Sequence, residues 1–94
     1  MNIYNDKEKL EEARVNAETA KTEFHEKATE YNTSLKKVTA IRNAIDTTSD
    51  KDARNLLLAD LDESITARDV AFQTKELARV AIKDAEKKFA GVSL

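Results

Sequence analysis

Leu10, Ala17, Phe24, Tyr31, Val38 and Ile45 stand seven residues apart without a break, and Ile3 extends the row one step upstream. A seven-residue apolar row keeps one face of a long helix turned toward a partner helix, which is the seam of a coiled coil. Little in the chain would interrupt that helix. Proline is missing, and Gly91 is the single glycine. Alternation at period two never persists and turn dipeptides are lacking, which argues against sheet.

The bulk composition agrees with long amphipathic helices. Of 94 residues, 40% are hydrophobic, 5% aromatic and 36% charged, a lean supply for a globular core but a normal one for buried stripes. The length bounds the chain to one small domain. Net charge is −2, and each half of the chain carries eight Lys/Arg against nine Asp/Glu. No basic block tracks phosphates, so nucleic acid is not an expected partner. No cysteine excludes disulfides and thiolate-based zinc sites. Neither an apolar run of membrane-spanning length nor a signal-peptide pattern is visible, so no membrane partner and a cytoplasmic location are expected.

Taken in order, Asn5 reads as an N-cap with Glu8 in capping-box position, opening a first helix over about residues 5–46. The companion row of that helix begins at Ala13 and Ala20, then drifts to Ala28 and Leu35 before Ile41. Asp46 to Asp52 is the only stretch rich in residues whose short side chains bond nearby backbone, which places a turn at about 46–50. Ser49 with Asp52 resembles a capping box for a second helix over about 50–90, ended by Gly91 as a C′ stop. The inward stripe of that helix reads as Leu57, Leu58, Leu61, Ile65, Phe72, Ala78, Ile82, Ala85 and Phe89.

Two segments of nearly equal length around a central turn predict an all-α fold, an antiparallel two-helix hairpin. A turn centred near Thr48 pairs Val38 with Leu58, Leu35 with Leu61, Tyr31 with Ile65 and Phe24 with Phe72, then sets Ala17 beside Ala78, Ala13 beside Ile82 and Leu10 beside Ala85. The expected core is Leu10, Ala17, Phe24, Tyr31, Leu35, Val38, Leu58, Leu61, Ile65, Phe72 and Ile82. One unbroken helix in a parallel dimer is the alternative. Ala67, Val70, Thr74, Leu77 and Ala81 repeat at three-four spacing on another side of the second helix, joined by Leu56 and Ala59 nearer the turn. That strip is the expected seam for a second copy, giving a homodimeric four-helix bundle, or for a different protein.

Chemistry-bearing patterns are scarce. His25 is the single histidine, and Thr22 stands where a Glu-x-x-His motif needs its acid. One histidine at the edge of a seam assembles no Ser/His/Asp triad, and no glycine-rich loop exists to hold phosphate. No catalytic residue, metal or cofactor is expected. Glu23, Glu26, Glu30, Asp60, Asp62, Glu63 and Asp69 should form an acidic waist that steers a basic partner, with Lys27, Arg68 and Lys75 interrupting the apolar seam.

The Trp-x-Gly turn of WXG-type secreted hairpins and the proline-bearing turn of secretion-needle subunits have no counterpart here, so neither family's function carries over. The functional expectation is a non-catalytic protein–protein interaction module serving as scaffold, adaptor or assembly subunit. The alternative is a small inhibitor of the virus or mobile-element type that blocks a larger protein complex.

Overall fold

A computed structural model of the chain describes residues 3–93, with side chains from Lys7 to Val92. Helix α1 runs Ile3–Thr47 and helix α2 runs Lys51–Ser93. They fold back on each other as an antiparallel hairpin whose Cα atoms span 74 × 14 × 13 Å. No strand occurs among the described residues.

The turn takes three residues. Thr48 N–H donates to the Ile45 carbonyl at 3.3 Å, tightening the last turn of α1. Asp50 then starts α2: its carbonyl accepts the first helical bond from Arg54 N–H at 2.9 Å, and its Oδ2 accepts from Ala53 N–H at 3.0 Å. That is the N-cap geometry, so the cap belongs to Asp50 and not to Ser49. Both distal boundaries also differ from expectation. Asn5 lies inside α1, which already exists at Ile3. Gly91 continues α2 with no positive φ, since nothing in the chain forces the left-handed exit that a C′ glycine serves.

The seam follows a stricter seven-residue repeat than the apolar residues alone suggest. In α1 the companion row stays in step through Ala13, Ala20, Lys27, Ser34 and Ile41, and all five are buried or half-buried. Ala28 flanks that row and Leu35 is pushed out to the edge. In α2 the inner rows are Leu57, Ser64, Ala71, Ala78 and Ala85 with Leu61, Arg68, Lys75, Ile82 and Phe89, again all buried or half-buried. Leu58 and Phe72, expected inside, are exposed flank residues. Leu10, expected in the core, is 37% exposed. Lys27, Arg68 and Lys75 interrupt the apolar seam as the sequence suggests, whereas Ser34 and Ser64 also hold seam positions that hydrophobicity alone does not pick out.

Register shifts accordingly. Tyr31 meets Phe72, with ring centroids 5.5 Å apart, where Ile65 was expected. Phe24 stands edge-on to its neighbour His25 at 6.0 Å instead of against Phe72. Helical side chains lean toward their own N-terminus, so contacts across an antiparallel pair fall a few residues beyond the backbone level. Allowing for that lean, the rows align Val38 with Ser64, Tyr31 with Ala71, Phe24 with Ala78 and Ala17 with Ala85. Val38, at 2% exposure, is the most buried side chain described.

Candidate interaction surface

Three cationic side chains occupy or border the seam, and each finds a different solution. Lys27 Nζ reaches Glu30 of its own helix at 3.6 Å. Arg68 Nη2 reaches its neighbour Asp69 at 3.2 Å. Lys75 Nζ sits 4.6 Å from the centroid of Tyr31 and 5.2 Å from that of Phe72, so two ring faces cover one ammonium. Such a contact contributes about 0.5–2 kcal/mol as desolvation increases. Glu30 and Asp69, two residues of the expected acidic surface, supply the first two pairings from the cation's own helix.

The same register divides the acidic waist. Lys21 contacts Glu86 at 3.7 Å, and Tyr31 contacts Phe72. Glu23, Glu26 and Glu30 therefore lie level with the 72–86 stretch of α2, which holds Lys75, Arg79 and Lys83. Asp60, Asp62, Glu63 and Asp69 lie nearer the turn, level with Lys36, Lys37 and Arg42 of α1. The two acidic groups thus sit at different levels of the hairpin: the group nearer the turn is level with a cationic stretch, while the 72–86 stretch also carries Glu76, Asp84 and Glu86 and is balanced in charge. Farther out, Arg14 bridges Glu11 and Glu18 along α1, donating from Nε to Glu11 at 3.0 Å and from Nη1 to Glu18 at 2.7 Å. The hydrogen bond from Arg14 holds the Glu11 carboxyl below its ordinary range, and Glu11 in turn raises the guanidinium.

The hydroxyls are mostly directed into the helices. Thr22, Thr29, Thr39, Thr66 and Thr74 each donate to the carbonyl four residues back, at 2.9–3.1 Å. Ser34 does the same three residues back at 2.6 Å. His25 is exposed. Among the described residues, no His, Asp and Glu side chains group so as to hold a metal ion, and no helix is long and apolar enough to cross a membrane.

What the surface does offer is apolar area. On the outer side of α2, Leu56, Val70 and Leu77 are 72%, 58% and 71% exposed. Val70 and Leu77 lie on the strip with Ala67, Thr74 and Ala81, of which only Thr74 is half-buried. On the other side of the seam, Leu35, Leu58 and Phe72 are 36%, 46% and 44% exposed, with Ile65 half-buried among them. Hydrophobicity alone merged this second group into the core. The seven-residue rows, counted through the polar positions, would have separated it. Compared with known proteins, the chain matches no family model, no curated protein and no solved structure.

Proposed function

We propose that the chain is a non-catalytic protein–protein interaction module, a scaffold, adaptor or assembly subunit that works as a homodimeric four-helix bundle. The observation that carries this reading is the pair of exposed apolar faces, Leu56, Val70 and Leu77 on the outer side of α2 and Leu35, Leu58 and Phe72 on the other flank. Each would contribute roughly 1.5–3 kcal/mol on full burial, and isolated hairpins of this size have little stability to spare. A protein partner covering the Ala67–Ala81 strip accounts for that surface, and a second copy accounts for the other flank.

The test combines light scattering across a dilution series with capture by the immobilised chain. A dimer at micromolar concentration, whose capture of a defined protein is lost in Leu56→Glu/Leu77→Glu while helicity is kept, is the expected result. A stable monomer whose captured proteins are the same with and without those two substitutions would contradict it.

A further inference from the structure

The flank containing Leu35 and Phe72 carries enough detail to say how the second copy sits. Ala28 and Leu35 follow Phe24 and Tyr31 of the inner row by four residues. Leu58, Ile65 and Phe72 follow the inner row of α2 in the same way. Lys21 and Glu86 continue these two sets toward the open end, and they touch at 3.7 Å. The two sets therefore border one side of the seam, leaving an apolar edge along both helices.

Surface area calls for an occupant. A compact monomer of 10.5 kDa exposes about 5,400 Å² by the usual mass scaling. This chain exposes 7177 Å². The surplus exceeds the roughly 800 Å² that each partner contributes to a standard interface. A rod lying along the hairpin is the shape that removes it.

We infer that the occupant is a second copy lying side by side with the first, both turns at the same end, α1 of each against α2 of the other; the inference rests on the homodimer reading above. In this arrangement Leu35 meets Ile65 of the partner subunit. Arg42 comes level with Asp62 of the partner subunit near the turn, and Glu18 with Lys83 of the partner subunit near the open end. Opposite charges meet at both ends of the apolar contact. Turning one copy end over end stacks α2 on α2, with Ile65 on itself and Asp62 beside Asp69 of the partner subunit, a like-charge contact. The Ala67–Ala81 side suits a second copy less, because α1 offers it Glu23, Glu26 and Glu30 in place of apolar side chains.

The chain's lack of cysteine permits a direct test. Leu35→Cys and Ile65→Cys variants, one carrying a tag, are mixed and oxidised. The arrangement predicts a disulfide between the two different chains and none when either variant is oxidised alone. A disulfide of Ile65→Cys with itself would overturn it. Leu58→Glu, at a flank position that leaves the hairpin's helicity intact by circular dichroism, should weaken dimerisation by about a hundredfold, as loss of an interface anchor does. Leu77→Glu should leave the dimer unchanged. If Leu77→Glu dissociates the dimer while Leu58→Glu does not, this face is wrong and the homodimer reading stands. A monomeric wild type overturns both.

Discussion

The turn-proximal and terminal halves of the hairpin use one repeat with opposite side-chain sizes. Near the turn the seam holds Val38, Ile41, Ile45, Leu57 and Leu61. Toward the open end it holds Ala13, Ala17, Ala20, Ala78 and Ala85, relieved by Phe24, Ile82 and Phe89. Between them lie the polar positions Lys27, Ser34, Ser64, Arg68 and Lys75. Large residues bury more area per contact, whereas alanines let backbones approach but contribute little each. The turn half also closes the shortest loop, so its contacts form at the lowest entropic cost. Stability is therefore concentrated near the turn, and the open end depends on it.

Substitutions can break that comparison. Val38→Asp places an unpaired charge at the most buried side-chain position and should cost roughly 3–5 kcal/mol, seen as loss of the cooperative melt. The same change at Ala17 should cost clearly less, because the open end can fray around it; equal losses would show that stability is not concentrated near the turn. Phe24→Ala, in a half-buried site facing small residues, should cost about 1.5–3 kcal/mol in urea unfolding. Asp50→Ala removes the cap that starts α2 and should cost about 1 kcal/mol. Lys75→Met removes the ammonium from the Tyr31 and Phe72 rings and should lower the melting temperature by the equivalent of about 0.5–1 kcal/mol.

The smallest expected effect concerns pH. Arg14 lowers the pKa of Glu11 in the folded chain, so this contribution is complete above the ordinary carboxylate range. It disappears as pH falls through the lowered value. Both groups are exposed, so the effect is slight. The melting-temperature difference between wild type and Glu11→Gln should shrink on acidification, and a difference that grows would reverse the sign.

Much of the frame was legible in the sequence, for physical reasons. The row from Leu10 to Ile45 and the central turn suffice for a helical hairpin, because period seven and a run of capping residues have few other solutions. Register was not legible from apolar residues alone. Lys27, Ser34, Arg68 and Lys75 hold seam positions through long stems, local ion pairs and ring contacts, none of which hydrophobicity records. A pairing that rests on a turn centred near Thr48, with no allowance for side-chain lean, puts Ile65 in place of Phe72 opposite Tyr31. The interaction surface was half legible: the Ala67–Ala81 strip follows from spacing, while the Leu35–Phe72 flank emerges once the polar rows are counted. Caps were misplaced by local ambiguity. Ser49 and Asp50 are both good N-caps, and only the backbone trajectory distinguishes them.

The central claim is a closed antiparallel hairpin whose outer faces stay available. The most direct measurement is the spin–spin distance between labels on Glu12→Cys and Lys87→Cys, both on exposed positions, in a single chain diluted with unlabelled protein. A closed hairpin gives roughly 20–30 Å, one interhelical spacing plus the label arms. One unbroken helix would separate the same positions by about 110 Å at 1.5 Å per residue, and a distance in that range would contradict the account.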